Sequence, residues 1–151
     1  MSTKKPIGWR EWIGFPDLNI PRIKAKIDTG ARTSALHAFR VKPFMRGDKQ
    51  WVRFAIHPVQ GDTDTIVESE APVKDHRIVR DSGGHEEQRY VIETAISIGE
   101  DIIQAEVTLT DRDSMLFRVL LGRTALSANY VVHPGRSYVQ SENQQGDQIQ
   151  T

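Results

Sequence analysis

Cysteine is absent from this chain of 151 residues, which excludes disulfides, thiolate metal sites and a cysteine nucleophile. Neither sign of charge is in excess, because the formal net charge is +0, so no global field favours nucleic acid or a membrane as partner. Long apolar runs are missing too, and we expect neither a signal peptide nor a membrane helix. Together with the length, these absences predict one cytoplasmic domain.

Nucleotide-binding and metal-binding motifs are also missing. There is no Gly-x-x-x-x-Gly-Lys-[Ser/Thr] loop, and Gly122-Arg123-Thr124 is too short to cradle a phosphate. No His-Glu-x-x-His pair occurs, and the histidines are scattered over His37, His57, His76, His85 and His133. We therefore expect no metal and no cofactor.

The triplet Asp-[Ser/Thr]-Gly occurs twice, and its first copy is Asp28-Thr29-Gly30. Isoleucine and alanine alternate with lysine over the preceding residues 23–27, the pattern of a half-buried strand. Ala31 is small enough to pack beneath the turn, and Gly30 leaves room for a substrate backbone to approach. Aspartic peptidases present their catalytic carboxylate on such a strand and turn, so Asp28 is the candidate catalytic residue.

The second copy, Asp81-Ser82-Gly83, has different flanks. Gly84 and a polar run follow it, and strand-like residues lie on both sides, at 78–79 and 90–92. A polar cluster with two glycines between two strands is typical of a hairpin turn. We therefore predict a structural turn at Asp81 rather than a second catalytic residue.

Most of the remaining chain has strand patterns. Apolar and polar residues alternate over 90–98 and 103–109 with a turn at 99–101, which predicts a hairpin. Further strands are predicted around Trp9–Phe15 and residues 52–56, whereas residues 61–74 are polar and predict a loop. Residues 119–121 form a short apolar strand that ends at Gly122, and only residues 124–129 favour a helix.

These elements predict an all-β closed barrel with one short C-terminal helix. We expect a tail over residues 1–6, one domain over residues 7–140 and a disordered tail over residues 141–151, where no apolar pattern remains.

The Asp-Thr-Gly-Ala turn and the later Leu120-Leu121-Gly122-Arg123 segment together resemble the retropepsin fold. The sequence of residues 24–38 resembles one group still more closely, the bacterial retropepsin-like proteins catalogued as ATP-dependent zinc proteases. These are often encoded beside an ATP-grasp glutamate ligase. The resemblance runs from about residue 7 to about residue 133. It implies an aspartic peptidase barrel in which the late strand, with Gly122, supports the turn of Asp28, Thr29, Gly30 and Ala31.

One catalytic aspartate per chain has a consequence for assembly. Peptide hydrolysis by this chemistry needs two carboxylates that share one proton. The chain is too short for two lobes, so an active enzyme would be a homodimer in which two Asp28 side chains meet and Thr29 locks the turns together. Compared with compact viral enzymes, the interval between Asp28 and Gly122 is longer, position 32 is arginine, and Gly83-Gly84 is the best candidate for a flap.

Basic residues lie in both site segments. Arg32 and Arg123 are candidate contacts to an acidic peptide substrate, or ion-pair residues of the turn. Lys24 and Lys26 fit better as the solvated face of a strand, and the tryptophans, Trp9, Trp12 and Trp51, fit better as packing residues than as a groove. Two other functions remain open: a non-enzymatic partner of an ATP-grasp ligase, and a zinc-dependent peptidase.

Overall fold

The computed structural model describes residues 4–80, 83–84, 86–111 and 117–141. Its strands, in chain order, are β1 (Lys5–Gly8), β2 (Arg10–Phe15), β3 (Ile20–Ile27), β4 (Ser34–His37), β5 (Phe39–Arg46), β6 (Lys49–Ile56), β7 (Val67–Arg80), β8 (Glu86–Ile98), β9 (Asp101–Thr110), β10 (Val119–Leu121) and β11 (Tyr130–His133). A 3-10 turn, Pro16–Leu18, precedes β3, and one helix, α1 (Arg123–Leu126), follows β10.

Six of these strands close into a barrel, which confirms the predicted fold class. The order is β2-β3-β10-β4-β9-β8, and β8 pairs back onto β2. Two neighbouring pairs are parallel, β3 with β10 and β4 with β9, while the others are antiparallel. Closure leaves these six strands with a partner on each side, so the barrel has no free edge.

The barrel interior is filled as the alternating patterns predict. On β3, Ile23, Ala25 and Ile27 are buried and the intervening lysines are not. The predicted hairpin at residues 99–101 is confirmed, since β8 and β9 pair in antiparallel register up to Ile98 and Asp101. All three tryptophans pack beside another ring, in the pairs Trp9–Phe117, Trp12–Tyr138 and Trp51–Phe44.

The loop prediction for residues 61–74 is wrong from Val67 onward. β7 begins there and pairs with β6 through its first half and with β8 through its second half. The sequence did not indicate this strand because many of its side chains are polar. In the folded protein, such side chains form hydrogen bonds with residues that are distant in the sequence. Glu70, for example, accepts hydrogen bonds from Arg46 and Arg53 at 2.7–3.1 Å.

β7 and β8 form a long antiparallel hairpin. Their register reaches Arg80 opposite Glu86, and Gly84 has the positive φ of +86° that favours glycine. The predicted turn residues Asp81 and Ser82 lie outside the described residues, so that assignment stays a prediction.

The two ends of the described chain meet. β1 pairs with β11 in parallel, from Lys5 opposite Tyr130 to Gly8 opposite His133. Strand structure thus begins two residues before the predicted domain start, and Ser141, the first residue of the predicted tail, is buried. The rest of that tail, residues 142–151, lies outside the described residues, and the one-domain assignment for 7–140 stays a prediction.

Candidate active site

Asp28 stands at the end of β3, where the chain leaves the barrel wall. Its backbone N–H donates to the Leu121 carbonyl at 2.9 Å, so β10 holds the turn from one side. Its carboxylate Oδ1 accepts the Gly30 N–H at 3.1 Å, and its carbonyl accepts the Ala31 N–H at 3.1 Å. The side chain is half-buried, which leaves carboxylate oxygen available to a ligand.

The two residues after Asp28 face outward. Thr29 and Gly30 are both exposed, so they are accessible to a second molecule. A Cβ added at Gly30 would lie 3.4 Å from Asp28 Oδ1, which is ordinary contact. A side chain would therefore fit at position 30 without a clash inside the chain. The absence of a side chain at Gly30 instead leaves the approach to the Asp28 carboxylate open.

Position 122, by contrast, has no room for a side chain. Gly122 is buried, and an added Cβ would lie 2.6 Å from both the carbonyl carbon and the carbonyl oxygen of Thr33. Its N–H donates to the hydroxyl of the buried Ser34 at 3.0 Å. The absence of a side chain thus allows the segment after β10 to lie directly on the segment after the Asp28 turn.

Residues 123 and 124 complete this contact. The backbone N–H of Arg123 donates to the Ala31 carbonyl at 2.9 Å, and that of Thr124 donates to the Arg32 carbonyl at 3.0 Å. The Thr124 hydroxyl donates to the same Arg32 carbonyl at 2.8 Å. The backbone carbonyls of Ala31 and Arg32 therefore have hydrogen-bond partners, which helps to hold the turn in one conformation.

The Arg123 side chain also contacts the turn. Its Nη1 lies 3.3 Å from the Thr29 carbonyl and 3.3 Å from the Gly30 carbonyl. The structure thus places this guanidinium on the turn itself, while its proposed contact with substrate stays a prediction. Sequence reasoning missed Ser34 and Thr124, whose only sequence signal is a hydroxyl residue next to each site segment.

Arg32 lines a polar surface pocket of about 500 Å³ beside the turn. The pocket is lined by Arg32, Thr33, Arg77, Glu93, Gln104, Ala105, Glu106 and Thr124. It therefore extends from the site segments across the outer face of β7, β8 and β9. Arg32 is exposed at this position.

Most other charges around the pocket already have partners. The Lys74 amine lies 3.5 Å from a Glu93 oxygen and 3.4 Å from a Glu106 oxygen. The negative charge of Glu93 has the largest effect in raising the pKa of Lys74, followed by the hydrogen bond and charge of Glu106. Arg77 binds Asp75 at 2.8 Å, and its hydrogen bond lowers the pKa of that carboxyl. Lys74 therefore offsets only one of the two negative charges of Glu93 and Glu106. Arg32 forms no ion pair with another of the described residues, so its positive charge is available to a ligand.

Metal binding finds no support in the described residues: no three of their histidine, aspartate or glutamate side chains come together in a geometry that could hold an ion. His85 lies outside them. Phe39 stacks on His57 and Tyr90 on His76, each at 4.4 Å between ring centroids.

Comparison with known families decides the relationship. The family described as "RimB-like: Retropepsin-like aspartic endopeptidase RimB" matches residues 6–143. This chain belongs to that family. The RimB-like assignment agrees with the resemblance drawn from the Asp28 turn and the Gly122 segment, and with the closed barrel. In addition, none of the described helices has the length and apolar character needed to cross a membrane.

Individual relatives of this RimB-like chain carry a different name. A protein of Shewanella pealeana named "Probable alpha-L-glutamate ligase" is 45% identical over 141 residues, which is 93% of this chain and 31% of that protein. A protein of the same name from Desulfotalea psychrophila is 39% identical, over 95% of this chain and 34% of that protein. The chain thus spans about a third of the length of the curated relatives it matches.

A solved structure shares the fold. A Legionella pneumophila protein of unknown function superposes with a TM-score of 0.77 at 24% identity, covering 92% of this chain and 100% of that one. At this identity the likeness concerns the barrel architecture alone.

Proposed function

We propose that this protein is an aspartic-type endopeptidase whose active site forms across a homodimer. The observation that carries the proposal is the Asp28 turn: a half-buried carboxylate that follows a barrel strand and is held by β10, with the exposed Thr29 and Gly30 beside it. Membership of a family described as aspartic endopeptidases supports the same chemistry.

The chemistry follows from two carboxylates that share one proton. The ionised Asp28 would take a proton from water as the water oxygen attacks the peptide carbonyl carbon. The protonated Asp28 of the second copy would give its proton to the carbonyl oxygen, which forms a tetrahedral diol. The first proton then passes to the amide nitrogen while one hydroxyl of the diol returns its proton to the second Asp28, so the C–N bond breaks, a carboxylic acid and an amine form, and the pair regains its shared proton.

The second copy is needed because one copy offers one such turn in the described residues. The exposed Thr29 and Gly30 would lie near the two-fold axis, as an isologous interface requires. Arg123, bonded to the carbonyls of the same two residues, would keep the turn in shape when the second copy approaches.

We further propose that the substrate is an acidic peptide or protein segment. The pocket beside the turn presents Arg32, while Lys74 offsets one of the two negative charges of Glu93 and Glu106. A guanidinium binds carboxylates in a bidentate manner and favours them over neutral side chains. The names of the relatives, which concern glutamate ligation, are consistent with a glutamate-rich substrate.

The experiment that tests the proposed activity is cleavage of a peptide library, including glutamate-rich peptides, with and without an inhibitor of catalytic aspartate pairs. We expect discrete cleavage products by mass spectrometry, and their loss with the inhibitor. Hydrolysis that resists the inhibitor and stops with a chelator would replace this proposal with the zinc-dependent alternative.

Replacing Arg32 with glutamine should weaken cleavage of acidic peptides selectively. A lost charged hydrogen bond at a solvent-accessible pocket should lower kcat/KM for a glutamate-containing peptide by about tenfold to a hundredfold. A peptide in which glutamine replaces glutamate should change little. Kinetics of both peptides at low and high salt measure the effect, because screening reduces charge recognition.

The matched control is Lys49→Gln, which removes one positive charge from an exposed position on β6 away from the pocket lining. This variant should behave like wild type toward both peptides. An equal loss for acidic and neutral peptides in Arg32→Gln would show that Arg32 supports the turn rather than selecting the substrate.

The dimer should loosen as the pH rises from about 4 to 7. Two carboxylates held together keep one proton between them, so the dimer binds more protons than two monomers do. The resulting stabilisation is fully present below the pH at which a free aspartate ionises, and it is lost as the pH rises through the higher value of the pair. Sedimentation velocity across this range measures the dissociation constant.

Asp28→Asn is the control for this titration, because it removes the shared proton and the repulsion between the two carboxylates. We expect a tighter dimer near neutral pH and a flatter pH dependence than in wild type. Wild type and variant with the same pH dependence would show that the two Asp28 side chains do not meet. Monomers at every pH in both proteins would exclude the dimer.

A second candidate function is a non-enzymatic partner of an ATP-grasp glutamate ligase. It is favoured by the relatives named as glutamate ligases, in which a region like this chain makes up about a third of the protein. The distinguishing measurement is ligase activity with added wild type or Asp28→Asn protein. An equal effect of both proteins on the ligase, without peptide cleavage by wild type, would favour this candidate.

A further inference from the structure

Glu11, on β2, is a fully buried carboxylate that the proposed chemistry does not use. Its side chain is 0% exposed. It accepts hydrogen bonds from the backbone N–H groups of Gly8 at 2.7 Å, Val139 at 2.8 Å, Gln140 at 3.1 Å and Ser141 at 3.0 Å. The Ser141 hydroxyl donates a fifth at 2.8 Å. Because burial of a charge is costly without such partners, these five hydrogen bonds are needed to stabilise the carboxylate of Glu11 in its buried position.

Four of these five donors come from one segment near the end of the described chain, residues 136–141, which we call the strap; the other is the N–H of Gly8. Three successive N–H groups of the strap converge on one carboxylate, which is the geometry of an anion nest. Tyr138, just before them, adopts the left-handed φ of 55° that is uncommon for a residue with a side chain. The contacts to Glu11 offset the cost of this conformation.

The strap lies directly on the first two strands. The Trp9 N–H donates to the Arg136 carbonyl at 2.8 Å, and the Tyr138 N–H donates to the Arg10 carbonyl at 2.9 Å. A Cβ added at Gly8 would lie 2.6 Å from the Arg136 carbonyl oxygen, so the two backbones touch. The strap therefore supports the chain around Trp9.

Trp9 connects this support to the catalytic strand. Its carbonyl accepts the N–H of Ile27, the residue before Asp28, at 2.8 Å. A continuous hydrogen-bonded line thus runs from Arg136 through Trp9 to Ile27. On the other side of the strand, Asp28 is held by the Leu121 carbonyl. The strap completes, from one side, the support that β10 provides from the other.

We propose that Glu11 is a positioning residue for Asp28: its buried carboxylate fastens the strap, and the strap fixes the strand that carries the catalytic turn. This inference rests on the proposed catalytic role of Asp28, but its structural part can be tested without any peptidase activity. The hydrogen bonds of Glu11 go to Gly8 and to the strap, not to the turn or the pocket lining, so its effect on catalysis passes through Trp9 and Ile27.

The test compares wild type with Glu11→Gln by residue-resolved amide hydrogen exchange. The amide replaces one acceptor oxygen by a donor that faces N–H groups, so several of the five bonds are lost. We expect exchange at the Trp9 and Ile27 amides to become at least tenfold faster, while the amide of Val107, on β9, keeps its protection. In the peptidase assay, kcat should fall about tenfold with KM nearly unchanged.

Glu100→Gln, at the exposed turn between β8 and β9, is the matched control and should leave exchange and kinetics unchanged. If Glu11→Gln does not fold, Ser141→Ala decides the matter, since it removes one donor to the carboxylate and should give the same pattern with a threefold effect. Faster exchange in the strap with unchanged exchange at Ile27 would overturn the proposal, and so would a uniform loss of protection that includes Val107. Altered exchange at Ile27 in a protein that cleaves no peptide would instead contradict the proposed function.

Discussion

Asp28→Asn is expected to abolish peptide cleavage while the protein keeps its fold. The asparagine side-chain oxygen can still accept the Gly30 N–H that Asp28 Oδ1 accepts at 3.1 Å, so the turn should survive. The amide cannot take a proton from water, and the pair loses its shared proton. We expect kcat to fall by about 10⁴-fold or more, measured as product release in the peptide assay alongside circular dichroism.

The matched control is the same substitution in the second triplet, Asp81→Asn. Asparagine is as suitable as aspartate in a hairpin turn, so activity should stay close to that of wild type. An inactive Asp81→Asn together with an active Asp28→Asn would show that the roles of the two triplets are reversed.

Among substitutions that add a single methyl group to the site, Gly122→Ala should lower the stability of the protein most. The new Cβ would lie 2.6 Å from backbone atoms of Thr33, and backbone cannot rotate away as a side chain can. The two segments must separate, at a cost of about 2–3 kcal/mol in the free energy of unfolding. Separation also weakens the bonds from Arg123 and Thr124 to the Asp28 turn, so activity should fall with stability.

Gly135→Ala is the control, because nothing lies within 4 Å of an added Cβ there. Its free energy of unfolding, from urea titration, should stay within about 0.5 kcal/mol of wild type. If Gly122→Ala were as stable as Gly135→Ala and fully active, the close approach of the two segments would not be essential to the site.

The parts of this protein that the sequence predicted are those written in local patterns. Isoleucine and alanine at every second position of β3 predict its buried face, and the hairpin at residues 99–101 follows from two alternating segments. Asp28 and Gly122 could be named because each follows a strand that is recognisable in the sequence, an alternating one before Asp28 and a continuous apolar one before Gly122. The pattern of a strand and the position of its end depend on neighbouring residues only, so both could be predicted from this sequence alone.

The parts that the sequence did not predict depend on contacts between distant residues. β7 is polar, and its ion pairs with β5 and β6 are visible only once the sheet is assembled. Glu11 resembles any surface glutamate in the sequence, yet its partners lie 128–130 residues away, at Val139 to Ser141. The Arg123 contact with Thr29 likewise joins residues separated by 94 positions. No local pattern encodes these contacts.

The insertion of β10 between β3 and β4 also has a consequence for the order of folding. Asp28 is synthesised early, but the Leu121 carbonyl that holds it and the Gly122 N–H that binds Ser34, 88 positions away, are made much later. Two strands that must receive a third between them cannot close during the synthesis of the first half of the chain. Such non-local pairing slows folding. A nascent chain therefore carries no assembled Asp28 turn until nearly the whole domain has left the ribosome, which would keep an unfinished chain inactive in the proposed peptidase reaction.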